Sequence, residues 1–301
     1  MKNMNKYENC LLCPRKCGIN RRTGQTGVCG VSSEIKVARA ALHYWEEPCI
    51  SGKRGSGAVF FSGCSLHCVF CQNRAISDGK EGKVISKERL SDIFMELADK
   101  GANNINLVTP GQYIPDIVWA VNDAKSRGMK LPIIYNTSGY ENVTELKLLE
   151  DIVDVYLPDF KYMDSTLSAM YSRAKDYPSV AKQALSEMVR QQPDVVIDDA
   201  TGLIQKGVIV RQLLLPGHVN DAKNVLKYLY DTYHDHVYIS MMSQFTPIAL
   251  KDYPEINRTV TRREYERLVD YALEIGITNA FIQEGDVAKD SFIPAFDCEG
   301  V

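Results

Sequence analysis

From Gly57 onward the chain repeats one pattern, a short apolar run followed by an amphipathic stretch of helical period. The apolar runs lie near 58–61 (AVFF), 105–108 (INLV), 132–135 (PIIY), 153–157 (VDVYL), 207–215 (GVIVRQLLL), 237–242 (VYISMM) and 279–283 (NAFIQ). Helices are expected between them near 86–100, 113–127, 143–150, 178–192, 221–232 and 261–275. Ser86, Asn220-Asp221 and Thr261 stand where helices start, and Gly101, Gly128 and Gly276 where they stop. Strands that alternate with helices pair in parallel, because a crossover brings the chain back to the same end of the sheet. The expected fold class is therefore α/β, as a barrel or an open sheet. One hairpin is expected at "DVVIDDATGLIQKG", with Ala200, Thr201 and Gly202 as its turn.

Residues 1–55 read differently. They show little periodicity, several glycines and the run "CLLCPRKCGINRRTGQTGVCG", which spaces Cys10, Cys13, Cys17 and Cys29 as C-x2-C-x3-C-x11-C. Such a segment has a thin core unless a metal holds it. We expect a small cysteine-rich appendage over 1–55 and the α/β domain with a C-terminal extension over 56–301. Four thiolates complete one closed centre, either structural zinc or a second iron–sulfur cluster, and the spacing leaves both open.

The formal net charge of -3 over 301 residues gives no electrostatic footprint for nucleic acid. No run approaches the roughly 18 apolar residues of a membrane span, and the start "MKNMNKYENC" lacks the apolar core of a signal peptide. The expectation is a cytoplasmic protein without nucleic-acid or membrane partners. Nine cysteines, an odd number, are more readily metal ligands than disulfides in a reducing compartment.

"SGCSLHCVFCQN" places Cys64, Cys68 and Cys71 directly after the apolar run and supplies no fourth thiol nearby. An iron–sulfur cube held at three corners leaves one iron open, and an open position is what distinguishes a reactive metal site from a structural one. Gly63 is expected to relieve crowding where backbone passes an inorganic core.

C-x3-C-x2-C closing an N-terminal strand resembles the radical S-adenosylmethionine (radical SAM) superfamily. The resemblance implies a 4Fe-4S cluster on Cys64, Cys68 and Cys71, with SAM on the open iron and Phe70 near its adenine. Reductive cleavage of SAM then gives a 5'-deoxyadenosyl radical that removes hydrogen from the substrate. In "NLVTPGQY", Thr109, Pro110 and Gly111 replace the family's Gly-Gly-Glu-like turn, so contact with the SAM amino group falls to backbone carbonyls or the Thr109 hydroxyl. The segments "YNTSGY", "YLPDFKY" and "VRQLLLPGHVND" resemble strand ends of pyruvate formate-lyase activating enzyme and its relatives, which implies a partial (βα)6 barrel. Asp159 and Lys161 match an Asp-x-Lys pair that contacts SAM; two residues apart, they share one side of an extended segment. Read without the resemblance, they are a surface salt bridge. Asn136 and Thr137 match an Asp-Thr pair that binds a monovalent cation in some activating enzymes, with one charge fewer here. Arg211 is either a partner for a carboxylate or a structural residue, and Gln244 matches a histidine near SAM.

The chain as a whole resembles a pyruvate formate-lyase activating enzyme-like, or PflX-type, branch. The likeness runs from "YENCLLCPRKCGINRRTGQTGVCG" through "EEPCISG", the three-thiol loop and "MSQFTP" to the tail "FIQEGD...IPAFD". It implies an oxidoreductase acting on a protein or peptide, as a glycyl radical enzyme activase does, with electrons from a flavodoxin or ferredoxin. Two further readings stay open: a radical SAM enzyme working on a small molecule or peptide natural product, and a non-catalytic zinc-binding scaffold. Cys49 in "HYWEEPCISG" is either a hydrogen donor at the substrate opening or a small buried residue, and His43 and Trp45 carry the same bland alternative. Cys298 carries no assigned role.

Overall fold

The computed structural model describes residues 4–247, 250–283 and 294–301; part of the tail "FIQEGD...IPAFD" lies outside the described residues. Its strands are β1 (Ile35–His43), β2 (Ser56–Phe61), β3 (Lys83–Ile85), β4 (Ile105–Val108), β5 (Ile133–Thr137), β6 (Val155–Pro158), β7 (Val196–Ile197), β8 (Ile204–Leu213), β9 (Tyr238–Met242) and β10 (Ala280–Ile282). They form one sheet in the order β10-β9-β8-β6-β5-β4-β2-β1-β3, with β7 hairpinned onto β8. The stretch from β2 to β10 is parallel throughout, and β1 and β3 add antiparallel at one edge. Every residue of β2, β4 and β6 is buried, as expected of parallel strands covered on both faces.

The helices are α1 (Pro48–Ser51), α2 (Arg74–Ser77), α3 (Lys87–Asp99), α4 (Ile114–Ser126), α5 (Val143–Leu146), α6 (Ser165–Ser172), α7 (Tyr177–Gln191), α8 (Val219–Tyr233) and α9 (Arg262–Glu274). Ser86 caps α3 by accepting from Arg89 N, and Thr261 caps α9 in a reciprocal box with Glu264. Gly101, Gly128 and Gly276 take left-handed φ values of 83°, 100° and 92° just past their helices. Asn220-Asp221 do not cap α8, which begins at Val219; the Asp221 carboxylate instead accepts from Met163 N (3.1 Å) and Asp164 N (2.8 Å). That long-range demand from the loop after β6 outweighs a local cap.

The sheet curls until distant strands meet. In the loop after β2, Gln72 Nε2 donates to Gln244 O beyond β9 (2.9 Å), and Phe70 packs on Phe245 with ring centroids 5.8 Å apart. Four strands separate β2 from β9 in the sheet order, so this contact requires a partial barrel of six βα units. Ile134, Val155, Leu157 and Ile209 form an apolar cluster of their own, and the main core fills the sheet–helix layer.

β1 is a nine-residue strand inside the first 55 residues, where no strand was expected. Its pattern is blurred by an irregularity between Val37 and Arg39, and its edge is partly covered by the C-terminal segment, with Ala40 N donating to Glu299 O (2.8 Å). Ahead of it, residues 4–34 hold only short 3-10 turns. No helix among the described residues is long and apolar enough to cross a membrane.

Candidate active site at the strand tips

The C-terminal tips of β2, β4, β5, β6, β8 and β9 close around a cavity of ≈ 240 Å³. It collects Cys64, Cys68, Cys71 and Phe70 from the loop after β2, and Thr109 from the turn after β4. Opposite them stand Asn136 and Thr137 of β5, Asp159 and Lys161 after β6, Arg211 of β8 and Gln244 after β9. Residues scattered over 180 positions thus share one space because parallel strands put all their C-terminal ends on one side. Pro110 and Gly111 are absent from its lining, and Gly111 faces a smaller cavity behind the turn.

The three-thiol loop is held by specific contacts. Cys71 N donates to Cys68 O (3.0 Å), Leu66 N to Cys64 Sγ (3.4 Å) and Ser172 Oγ to Cys68 Sγ (3.0 Å). Gln112, which the sequence did not single out, bonds through Nε2 to Ser62 O (2.9 Å) and Gly63 O (3.0 Å) and so ties the loop to the β4 turn. Gly63 has φ 90°, and a Cβ there would lie 2.7 Å from Cys29 O. The glycine therefore admits the protein's own N-terminal segment. Burial pushes the Cys68 thiol up to about 11 and, with Cys64 and Cys68 adding repulsion, the Cys71 thiol up to about 12. Such thiols become ligands only when a metal displaces the proton. Among the described residues no three Cys, His, Asp or Glu side chains converge on a single ion, whereas a cluster asks each thiolate to reach only its own iron. The donor set and the adjoining cavity therefore fit a three-thiolate cluster with room for a ligand beside it.

Lys161 Nζ lies 2.5 Å from Asp159 Oδ2, in the cavity wall and not on the surface. Burial alone would pull the ammonium down, but Asp159 and the Cys68 thiol outweigh it and the net shift is upward. The hydroxyl of Tyr177 on α7 fixes both tips, 2.9 Å from Ser138 O and 3.0 Å from Asp159 O, while accepting from Lys161 N (2.9 Å).

Arg211 meets carboxylates of the protein itself. Nε donates to Glu47 Oε1 (2.8 Å), Nη2 to Glu47 Oε2 (2.5 Å), and Nη2 also to Glu46. Glu46 in turn accepts from Asn106 Nδ2 (2.8 Å). Burial opposes ionisation of Glu47, yet Arg211 holds its carboxyl below the usual range. Arg211 is thus a partner for carboxylates, as one of its two sequence readings had it, and those carboxylates are the protein's own Glu46 and Glu47; it lines the cavity while engaged with them. Neither glutamate could be assigned from sequence, since the pairing spans more than 160 residues.

Cys49 does not reach the cavity. It is 5% exposed, packed with Ile50, Ile134 and Val155 in the barrel interior, and burial with Glu47 nearby pushes its thiol up to about 12. The expectation of a hydrogen donor at the opening is corrected accordingly, because α1 turns the side chain into the apolar plug. His43 and Trp45 instead line the cavity, and a hollow of ≈ 190 Å³ continues outward past both and Phe60.

All four N-terminal cysteines line one small cavity of ≈ 20 Å³ with Gly111 and Glu141. Burial pushes the Glu141 carboxyl up to about 7, while Thr137 donates to it. Burial likewise pushes Cys13 up to about 12.

A curled parallel sheet with its chemistry at the strand tips defines a barrel-type enzyme, with thiols in place of the usual acid–base groups. Residues 58–206 match the family described as the Radical SAM superfamily, and the chain belongs to it. It is a radical SAM enzyme, and membership implies a 4Fe-4S cluster and SAM. The chain is similar to Uncharacterized protein MJ0674 of Methanocaldococcus jannaschii, 28% identical over 276 residues, covering 89% of this chain and 75% of that protein. Among solved structures it is similar to Streptococcus suis SuiB bound to S-adenosylmethionine (TM-score 0.49, 13% identity), covering 74% of this chain and 48%, about half, of that one. A domain of pyruvate-formate lyase-activating enzyme from Bacteroides vulgatus is also similar (TM-score 0.38, 13% identity, 56% of this chain and 89% of that one).

Proposed function

We propose that the protein abstracts hydrogen from a protein or peptide substrate, in the manner of a glycyl radical enzyme activase. The observation that carries this reading is the meeting of Cys64, Cys68 and Cys71 with the Asp159–Lys161 pair around one cavity that opens toward the surface. Cys64, Cys68 and Cys71 would hold a 4Fe-4S cluster, which with SAM would supply the one-electron chemistry that removes hydrogen from a C–H bond.

The chain's own residues bind and orient. Lys161 offers an ammonium to the SAM carboxylate, and Asp159 accepts from its amino or ribose donors. Phe70, backed by Phe245, presents a ring for the adenine. Thr109, at φ 56° in the turn after β4, would offer its hydroxyl or a backbone carbonyl to the amino group, and Asn136, Thr137 and Gln244 complete the polar wall. The hollow running out past His43, Trp45 and Phe60 suits an extended chain, and Trp45 is 60% exposed beside it. Clustered thiols suit a reducing cytoplasm, where a reduced flavodoxin or ferredoxin supplies the electron. The test is anaerobic reconstitution followed by dithionite and SAM. Release of 5'-deoxyadenosine is expected, and deuterium from a labelled substrate polypeptide should enter it. A fully loaded cluster that never cleaves SAM would refute the reading.

A further inference from the structure

The geometry points to a second, redox-active iron–sulfur cluster on Cys10, Cys13, Cys17 and Cys29, placed to pass electrons to the cluster at Cys64, Cys68 and Cys71. The relay rests on the function proposed above; the second cluster itself does not.

Two observations favour a cluster over a single zinc. The first is space. Four thiolates on one tetrahedral ion sit about 2.3 Å from a common point, and no water-sized space survives between them. Here the four thiols line a common hollow, and among the described residues no three of them converge on a single ion. A Cβ on Gly27 would lie 2.8 Å from Cys17 Sγ, so the surrounding chain leaves that sulfur no bulkier neighbour. Leu12 and Ile19 add an apolar wall. The buried Arg21 guanidinium has Nη1 3.8 Å from Cys10 Sγ and offsets part of the negative charge that a thiolate centre gains on reduction.

The second observation is position. Cys64 N donates to Cys29 O (3.3 Å), so a ligand of one centre is hydrogen-bonded to a ligand of the other. Arg15, between Cys13 and Cys17, donates Nε to Ser65 O (2.8 Å), between Cys64 and Cys68. Thr109, Thr137 and Ser138 line both cavities, one from each side. An electron relay needs its two centres close together, and these contacts hold the two cysteine segments side by side. The electron balance is simple: a reduced ferredoxin or flavodoxin gives one electron to the N-terminal cluster. The same electron then reduces the cluster beside SAM, and no bond forms or breaks between the two centres.

The full-length protein, reconstituted anaerobically with iron and sulfide, is assayed for iron, sulfide and zinc and examined by EPR after dithionite reduction. About eight irons per chain are expected, falling to about four in Cys13→Ala/Cys17→Ala and about four in Cys64→Ala/Cys68→Ala/Cys71→Ala. The triple variant leaves the N-terminal set untouched, so its retained iron reports that site even if the double variant misfolds. The reduced wild type should show spectra broadened by two neighbouring spins, and each variant an unbroadened signal. One zinc with about four irons, or two clusters without spin interaction, overturns the proposal. SAM cleavage by a zinc-bearing chain would sink only this inference; two coupled clusters with no 5'-deoxyadenosine would sink only the activity proposed above.

Discussion

Arg211→Met keeps most of the side chain's bulk and deletes the cation that pairs with both Glu46 and Glu47. The three side chains are 12%, 7% and 5% exposed, so solvent cannot replace the lost partner. Removing one member of a buried ion pair costs about 3–5 kcal/mol, against about 0–1 kcal/mol for a surface pair. Urea unfolding at about pH 7.5 should show the larger loss, and the triple variant Glu46→Gln/Glu47→Gln/Arg211→Met should recover most of it, since no uncompensated charge remains. The sign of the pH effect follows from the carboxyls. In the native protein Glu47 is depressed, so its contribution is fully present above its unfolded value and is lost only as pH falls through the lower folded one. In Arg211→Met the largest influence depressing Glu47 is gone and burial raises its carboxyl, so the penalty is greatest above the raised value and shrinks as pH falls through it. The gap to wild type should narrow as pH falls from about 7.5 toward the carboxyl's unfolded value. A loss under about 1 kcal/mol, or a gap that widens on acidification, would refute this account of the buried charges.

Lys161→Met should weaken SAM binding to the reconstituted protein about ten- to hundredfold, the worth of a charge-assisted hydrogen bond; equilibrium dialysis giving unchanged affinity would remove Lys161 from the site. Ser172→Ala deletes the hydroxyl 3.0 Å from Cys68 Sγ. If that bond strengthens by about 1 kcal/mol on reduction, the cluster potential falls by about 40 mV in a redox titration, and an unmoved potential contradicts the contact. Thr261→Ala breaks the cap of α9 and should cost about 1 kcal/mol in thermal or urea unfolding, with Thr261→Ser restoring most of it.

Much of this molecule is readable from neighbours along the chain. The parallel strands and their crossover helices follow from apolar period, Ser86 and Thr261 from cap chemistry, and Cys64, Cys68 and Cys71 from eight consecutive residues, because each depends on interactions a few residues long. Local reasoning failed where a side chain's partner came from another strand. Asp221 looked like a cap and serves the loop after β6. Cys49 stood between a donor and a buried residue and belongs to the barrel plug, and β1 was masked by its irregular pairing with β2.

Sequence alone determined the order of the parallel strands with their crossover helices and the three-thiol loop. Tertiary structure alone decided that Arg211 meets Glu46 and Glu47, that Tyr177 fixes the tips of β5 and β6, and that Cys29 is hydrogen-bonded to Cys64. Periodicity and capping are short-range energies written into adjacent residues, whereas these contacts exist only once the sheet curls and brings β2 around to β9.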